Sequence, residues 1–440
     1  MTKSMVEGNA FKQILLFMLP LALGSIFQQA YNLADAAIVG QSLGADALAA
    51  VGVSSSVQFL VLGFCTGSAQ GFAIPIATAF GAKRENEIKQ LFYIGFILLF
   101  MIACVVTISC ALLTNQILLL LKAPADIMSN SYWYLFIIFI GIPFTLLYNY
   151  LAAVLRSVGD SKTPFLFLAF SSVLNIGLDF FCILSLHWGV PGAAIATVFS
   201  QAVSSILCLL LIHKKFPLLH VTAEAKVWDS EKALHMANMG IPMGLQFSIT
   251  AIGCMMMQAS NNALGSNYVS ALAAGQKINT FAMCPFEALG ASVSTFISQN
   301  LGAGKNERIR DGFKAGLKMV WIISIPLVLL YFFAGKQLLY LFLDNPTNTA
   351  IHTGIMFLCI LSPFYFVVST KLVADGILRG AGLMSRFMIT TFTDLILRVV
   401  LAIILSKQFG STGIWCAWPI GWSIATTLSV IFYKKAKFHM

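Results

Sequence analysis

Twelve apolar runs, most of them about twenty residues or longer, follow one another along the 440-residue chain. A helix spans the hydrocarbon core of a bilayer with about 20 apolar residues, whereas a barrel strand needs only about 10, in strict alternation. The runs do not alternate, and 10% of the residues are charged, against about 25% in a soluble protein. The sequence therefore predicts an all-α polytopic membrane protein with twelve transmembrane helices. It excludes a soluble enzyme, a disordered chain and a nucleic-acid reader.

The cysteines and histidines indicate no metal or cofactor chemistry. All nine cysteines fall inside apolar runs, and none has the spacing of a metal site. The six histidines are scattered along the chain. We therefore expect no cofactor, no catalytic residue, and no metal beyond a coupling ion.

The distribution of Lys and Arg predicts the orientation in the membrane, because cytoplasmic loops are enriched in these residues. With the N-terminus placed inside, the inner segments hold 20 Lys and Arg residues and the outer loops hold three, Lys122, Lys336 and Lys407. This bias puts both termini in the cytoplasm, with the protein in the cell (inner or plasma) membrane. It also explains the net charge of +10 by topology, so no nucleic-acid partner is expected.

The two halves of the sequence resemble each other at offsets of 221–224 residues. The matching segments are Leu19–Leu21 with Ile241–Met243, Ala47–Ala50 with Ala271–Ala274, Gly81–Ala82 with Gly302–Ala303, Leu155–Gly159 with Leu378–Gly382, and Gly189 and Gly192 with Gly410 and Gly413. Six helices per repeat is an even number, so both copies enter the membrane from the same side. We expect two six-helix lobes, residues 1–220 and 221–440, related by a parallel pseudo-two-fold repeat around a V-shaped cavity. Such paired lobes favour a transporter over an enzyme.

Several motifs resemble those of the multidrug and toxin extrusion (MATE) family, most closely its MepA-like bacterial branch. They are Leu19-Pro20 with Gln28 and Gln29, Asp35–Gly40, Gly44–Ala50, Gly81–Lys83, Leu155–Asp160 and Gly302–Asn306. The resemblance covers about residues 12–435. It implies a secondary antiporter that exports bulky, often cationic aromatic compounds in exchange for H⁺ or Na⁺.

Ionisable groups inside a membrane helix are candidates for function by default, because their burial is costly. Asp35, Asp179 and Thr197 all lie about 7–11 Å below the outer surface, at about 1.5 Å of rise per residue. Asn175 precedes Asp179 by one turn and shares its helix face. Oxygen ligands suit Na⁺, and a carboxylate pair can instead share a proton. The family resemblance implies the same cation site and adds the Ala193 carbonyl; the alternative is a purely structural pairing.

The second repeat lacks this set. At the repeat offset Asn175 falls opposite Arg398, and Asp179 falls opposite Ala402. A guanidinium keeps its proton and repels cations. Asp394 lies one turn before Arg398, so we expect the two to form a buried structural pair.

Two further groups of charges lie in the second half. Glu287 stands in the middle of the eighth run without a charged residue within a turn, so it is a candidate for substrate or proton binding. The alternative is an ion pair with Lys277 or with a base on another helix. Lys371, Asp375 and Arg379 recur every four residues and are predicted to form a structural ladder.

The cavity walls are expected to be aromatic and rich in methionine, since aromatic faces hold organic cations and methionine suits promiscuous sites. The candidate substrate-binding residues, besides Glu287, are Tyr31, Phe144, Tyr148, Met255, Met256, Phe281, Met283 and Tyr365. For each of them, plain packing is the alternative.

Prolines interrupt seven of the runs and predict helix bends. They are Pro20, Pro75, Pro143, Pro242, Pro285, Pro326 and Pro363. A bend at Pro20 would couple Asp35 to the shape of the cavity; the alternative is a static kink.

Two other functions remain open at this point. A flippase for lipid-linked precursors would want a cationic cavity, but the membrane-embedded charges are five acids and three bases. An intramembrane prenyltransferase would need a second acidic motif on the cytoplasmic side. The expected partners are therefore small organic cations and the lipid bilayer, and the expected state is a monomer.

Overall fold

The computed structural model describes residues 4–262, 266–343 and 347–436, apart from the side chains of 257–262 and 266–269. The described part contains helices, turns and loops but no strand. The helices are α1 (Ala10–Leu43), α2 (Ala45–Gly81), α3 (Glu85–Leu120), α4 (Met128–Ile140), α5 (Ile142–Ser157), α6 (Lys162–Phe180), α7 (Gly189–Lys215), α8 (Ser230–Asn262), α9 (Ser266–Gly302), α10 (Arg308–Tyr340), α11 (Asn348–Leu361), α12 (Tyr365–Gly380) and α13 (Met384–Lys435).

These helices make twelve membrane-spanning segments in the described part of the chain. α4 and α5 form one span that bends by 46° next to Pro143, which lies in the first turn of α5. A 3-10 turn that contains Pro363 joins α11 and α12 into another span. α13 is too long for one crossing, since its 52 residues would reach about 78 Å. A non-helical Gly410 divides it into two spans.

The backbone repeats at the offset that the sequence predicted. Positive φ angles, which L-residues adopt at a cost, recur in both halves at corresponding turns. The pairs are Lys83 and Gly304, Gly159 and Gly382, and Gly189 and Gly410. The all-helical class and the duplicated six-span layout are confirmed.

By contacts the chain divides into two compact units. Unit 1 is built mainly from Ile26–Ser248, and unit 2 from Met5–Ser25 and the described residues from Ile249 onward. Contacts thus group the chain differently from the sequence repeat, and the lobes of residues 1–220 and 221–440 stay a prediction. The first part of α1 belongs to unit 2, and the first part of α8 belongs to unit 1.

In unit 1, α2 and the first part of α8 cross along a seam of glycines. A Cβ on Gly67 would lie 2.4 Å from the Met243 carbonyl oxygen, and one on Gly71 would lie 2.5 Å from the Cα of Gly240. Gly244 approaches the Phe64 backbone in the same way. Small residues permit this close approach of backbones, which favours helix association where the surroundings are apolar.

In unit 2, the first part of α1 packs with larger side chains against α9. Ile14 and Phe17 are buried in one cluster with Val293 and Phe296. We call this contact between the first part of α1 and α9 the seat of α1. It has no glycine seam, so it depends on side-chain packing instead.

Polar side chains hold the segment that precedes α1, Met5–Gly8, in unit 2. The Met5 N–H donates to Gln299 Oε1 at 2.9 Å, and Asn300 Nδ2 donates to the Met5 carbonyl at 3.1 Å. Arg308 donates to the Gly8 carbonyl at 3.0 Å and to Asn300 Oδ1 at 2.7 Å. Because Gln299 and Asn300 are fully buried, these bonds are shielded from competing water.

The outer faces of the helices are strongly apolar. Large side chains such as Val105, Leu120 and Phe333 are 66%, 84% and 81% exposed. A soluble protein would not leave so much apolar surface in water. These faces fit the hydrocarbon of a bilayer, and the protein is a multi-pass membrane protein.

Candidate cation site

Unit 1 brings together the two membrane aspartates of its repeat. Asp35 comes from the second part of α1, and Asp179 from the end of α6. Their carboxyl groups lie close enough to interact directly. Asp179 is 0% exposed, and Asp35 is half-buried. The two aspartates that the sequence placed at one depth thus lie together, and their depth in the membrane stays a prediction.

The amide and the hydroxyl predicted for this site join the carboxyl pair. Asn175, 1% exposed, donates from its side-chain nitrogen to Asp179 Oδ2 at 3.2 Å and accepts from the Thr197 N–H at 3.0 Å. Thr197 Oγ1 donates in turn to the Ala193 carbonyl at 3.1 Å. All five predicted residues thus lie in one connected group; their role as ligands stays a prediction.

Tyrosines close the group on another side. The Tyr31 hydroxyl is in hydrogen-bond contact with Thr197. Tyr134 on α4 lies close enough to both aspartates to feel their charge, and its hydroxyl contacts the Gln58 side chain. Sequence reasoning placed Tyr31 on a cavity wall and missed Tyr134 and Gln58. Tyr134 lies near the start of the fourth apolar run, at a depth that a comparison with Asp35 would have found.

The chemistry of the carboxyl pair suits a positive charge. Two carboxylates in contact repel each other when both are ionised. A shared proton removes one of the charges, and a bound cation offsets both. Within the described residues, Oδ1 of Asp35 and Oδ1 of Asp179 are buried and have no hydrogen-bond donor. Carboxylate, amide and hydroxyl oxygens are the donors that a hard cation such as Na⁺ accepts. These residues therefore fit either H⁺ or Na⁺.

The backbone widens directly after Asp179. Phe181–Ser185 form one π-helical turn, and the chain then reverses through His187 and Gly189, both at positive φ. Such π turns insert one extra residue per turn and often accompany functional sites. Here the turn sets the position at which α7 returns with Ala193 and Thr197.

Unit 2 carries a different arrangement at the repeat-related place. Arg398 Nε lies 3.1 Å from Asp394 Oδ1, and both side chains are about nine-tenths buried. The guanidinium also lies over the Trp418 ring, 5.4 Å from its centroid. This confirms the expected Asp394–Arg398 pair.

Asp375 forms the second buried ion pair of unit 2. Its Oδ2 accepts from Lys371 Nζ at 2.7 Å, and its Oδ1 accepts from Ser429 at 2.7 Å and Thr390 at 3.2 Å. The predicted ladder is therefore confirmed for Lys371 and Asp375. Arg379 lies close enough to Asp375 for their charges to interact, and its guanidinium also lies over the Phe387 ring, 5.4 Å from the centroid.

Glu287 is exposed on the middle of α9. The base whose charge acts on it is Arg379 of α12. Lys277 is also exposed and has no ion pair among the described residues. The Glu287–Lys277 pair is therefore not formed, and the base on another helix that the sequence left open is Arg379, 92 residues away.

The candidate wall residues fall in both units. In unit 1, Phe144 is 37% exposed, whereas Tyr148 is buried and donates to the Pro164 carbonyl at 2.9 Å. In unit 2, Met256 is 47% exposed, and Met255, Phe281 and Met283 are half-buried. Tyr365 is fully buried and donates to Asn279 Oδ1 at 2.7 Å. Phe144 and Met256 are the most exposed of the candidate wall residues.

Comparison with known proteins shows one family along the chain. The MatE family profile matches residues 20–181 and again 242–404, so the two matches begin 222 residues apart. The probable multidrug resistance protein YpnP of Bacillus subtilis is 30% identical over 437 residues, 98% of this chain and 96% of that protein. The multidrug export protein MepA of Staphylococcus haemolyticus is 22% identical over 93% of this chain and 90% of its own.

Other relatives widen the range of cargoes and confirm the fold. An FAD transporter of Shewanella oneidensis is 25% identical over 337 residues, 74% of this chain and 73% of that one. A solved MOP-superfamily transporter from Pyrococcus furiosus superposes with a TM-score of 0.92 at 22% identity, over 98% of this chain and 96% of that one. The sequence repeat, the twelve spans and these matches lead to one conclusion: the chain belongs to the MatE family of MATE transporters and is a transporter, not an enzyme.

Proposed function

We propose that this protein is a secondary antiporter of the cell membrane. It exports bulky, often cationic aromatic compounds in exchange for H⁺ or Na⁺, works as a monomer and keeps both termini in the cytoplasm. The observation that carries the proposal is the Asp35–Asp179 contact, in which two buried oxygens lack a donor. The multidrug proteins among the relatives support the cargo class.

The coupling step follows from the chemistry of the pair. An incoming H⁺ or Na⁺ removes the repulsion between the two carboxylates, and its release restores that repulsion. Asp35 lies on α1, the helix whose first part belongs to unit 2 and whose second part belongs to unit 1. A change of charge at Asp35 therefore acts on an element that is part of both units.

On the substrate side, Glu287 supplies an exposed carboxylate on α9. An organic cation that binds there competes with Arg379 for the same negative charge. Phe144 and Met256 offer accessible apolar surface for aromatic cargo. Neutral compounds lack the carboxylate contact, so Glu287→Gln should reduce transport of cations more than transport of neutral aromatic compounds.

The test is efflux from proteoliposomes that contain the purified full-length chain. A fluorescent organic cation is followed while a H⁺ gradient and a Na⁺ gradient are imposed separately. We expect one of the two gradients to accelerate efflux, and ionophore collapse of that gradient to abolish the acceleration. Efflux that ignores both gradients would overturn the antiport mechanism.

An anionic cargo is the second candidate. The relative that transports FAD and the two arginines of unit 2, Arg379 and Arg398, favour it; a lipid-linked pyrophosphate, as in a flippase, belongs to the same charge class. The two cargo classes can be distinguished in the same vesicles, loaded with a flavin dinucleotide whose efflux is followed. Efflux of the dinucleotide that organic cations do not inhibit would show that the cargo is anionic and not cationic.

A further inference from the structure

A cavity of about 320 Å³ opens in unit 2 at the end of α10 that carries Arg308. One wall is the start of α1, from Gly8 to Phe11, and the other is one face of α10. The α10 residues that line it are Arg308, Asp311, Lys314, Ala315 and Lys318. Their spacing of three and four residues puts them all on a single helix face.

The charges in this cavity do not cancel. Lys314 and Lys318 are exposed, and neither has an ion pair or hydrogen bond within the described part of the chain. Arg308 makes its hydrogen bonds with carbonyl and amide oxygens, so its charge is not neutralised by a carboxylate there. Asp311 is the one acid among the lining residues. Three bases against one acid leave a net positive cavity.

The start of α1 adds to this field. Asn9 caps the helix by accepting from the Lys12 N–H at 3.1 Å. The N–H groups of Ala10 and Phe11, in the first turn, have no partner within the helix, and the positive end of the helix dipole lies here. Both residues line the cavity. An anion in the cavity would therefore meet backbone donors on one side and ammonium groups on the other.

The same face of α10 becomes apolar beyond the bases. Trp321, Ile322 and Ile325 are 58%, 58% and 46% exposed, and their helical angles fall within about 60° of Lys314 or Lys318. A free phosphate has no apolar part that could pack on this surface. A phospholipid does, since its acyl chains would follow the apolar residues while its phosphate stays at the bases.

We propose that this cavity binds the headgroup of an anionic phospholipid of the cytoplasmic leaflet. The leaflet rests on the proposed topology, in which the Arg308 end of α10 faces the cytoplasm. Basic pockets at this level of a membrane attract anionic lipids. The bound phosphate would join the start of α1 to α10 and so stabilise the seat of α1 in unit 2.

The experiment measures lipid binding by the full-length protein in detergent, without any ion gradient, by native mass spectrometry and by thermal unfolding. The probes are phosphatidylglycerol, phosphatidylcholine, inorganic phosphate and glycerol 3-phosphate. We expect phosphatidylglycerol alone to remain bound and to raise the unfolding midpoint. Equal binding of phosphatidylcholine, or an equal shift with either soluble phosphate, would overturn the proposal.

Variants locate the site. Lys314→Gln with Lys318→Gln should weaken phosphatidylglycerol binding about tenfold, a change of about 1.4 kcal/mol. Lys214→Gln with Lys215→Gln removes the same charge at the end of α7 and should leave binding unchanged. Equal weakening by both double variants would reduce the effect to nonspecific surface charge and overturn the proposal.

Asp311→Asn sharpens the test and guards against misfolding of the double variant. It removes the only acid of the cavity, so it should tighten phosphatidylglycerol binding. Unchanged or weaker binding by a folded Asp311→Asn protein would contradict the site. Because none of these measurements needs transport, a failure of the antiport mechanism would leave their outcome intact.

Discussion

The Asp35–Asp179 contact in unit 1 and the Asp394–Arg398 pair in unit 2 share one pair of corresponding spans, because Asp179 lies on α6 and the unit 2 pair lies in the first part of α13. In unit 1, two acids face each other beside Asn175, and neither has an ion pair within the described part of the chain. In unit 2, the guanidinium of Arg398 stands where the repeat would place Asn175, and it lies 3.1 Å from its acid. The second group contains its own cation, whereas we propose that the first takes H⁺ or Na⁺ from outside.

This difference shows that duplication of the fold did not duplicate the chemistry. The acid of the unit 2 pair already has a cationic partner, because Arg398 lies beside it. The glycine turns that shape both repeats are nevertheless retained, as at Gly189 and Gly410. We infer that the two units share a scaffold and divide the work, with the coupling ion handled in unit 1.

The largest expected effect breaks the unit 1 side of the comparison. Asp35→Asn keeps the shape of the side chain and removes its titratable charge, so gradient-driven efflux should fall to the rate measured without a gradient. Asp46→Asn, an exposed acid near the start of α2, is the matched control and should keep the wild-type rate. Gradient-driven efflux by the folded Asp35→Asn protein would remove Asp35 from the coupling.

The next effect concerns stability in unit 2. Arg398→Met leaves the Asp394 carboxylate buried without its partner, which should cost of the order of 3 kcal/mol or more in the free energy of unfolding. Replacing both residues, as Asp394→Leu with Arg398→Met, should recover most of that loss, because no charge then remains buried. Denaturant unfolding in detergent measures both.

Asp179→Asn offers the counterpart in unit 1. It removes one of two repelling acids, so it should not destabilise the protein, although it should weaken ion coupling. Destabilisation by Asp179→Asn as large as that by Arg398→Met would mean that the two groups are equivalent structural pairs.

A smaller effect on stability is expected at the glycine seam between α2 and the first part of α8. Gly71→Ala places a methyl group 2.5 Å from the Gly240 backbone, and backbone atoms cannot move aside as a side chain can. We expect a loss of about 1–3 kcal/mol in unfolding free energy. Gly52→Ala on the same helix has open space around it and should be neutral or slightly stabilising. Similar midpoints for the two variants would show that the seam tolerates separation.

The smallest effect is the pH dependence of the stability that Asp229 gives to the start of α8 and Arg308 gives to the start of α1. At the start of α8, the backbone N–H of Lys232, helped by its ammonium group, lowers the pKa of Asp229. A lowered folded-state pKa gives stability that is present above the unfolded pKa and is lost as the pH falls through the folded value. The difference in unfolding midpoint between wild type and Asp229→Asn should therefore shrink in acid.

Arg308 provides the contrast, because it holds the start of α1 through carbonyl and amide oxygens and not through a carboxylate. The difference in midpoint between wild type and Arg308→Gln should stay constant over the same acid pH range. A constant difference for Asp229→Asn as well would show that its carboxylate does not support the start of α8.

The sequence predicts what depends on period and depth. Asp35, Asp179 and Thr197 meet because helices rise by a fixed amount per residue, so equal depth could be counted along the chain. Arg379 beside Glu287 and Tyr134 beside the aspartates could not be found in this way, because the rotation of each helix about its axis depends on packing. The sequence also did not predict that the first part of α1 belongs to unit 2 and the first part of α8 to unit 1, because hydropathy does not show which helices pack together.

The seat of α1 also sets an order of assembly during synthesis. When the first part of α8 emerges, its glycine partner α2 already exists, so that seam can close at once. The first part of α1 must instead await α9 and Arg308, almost 300 residues later. At about 5–20 residues per second, this interval lasts roughly 15–60 s. Through that time the buried face of Ile14 and Phe17 has no partner from its own unit, and the membrane or a chaperone must cover it.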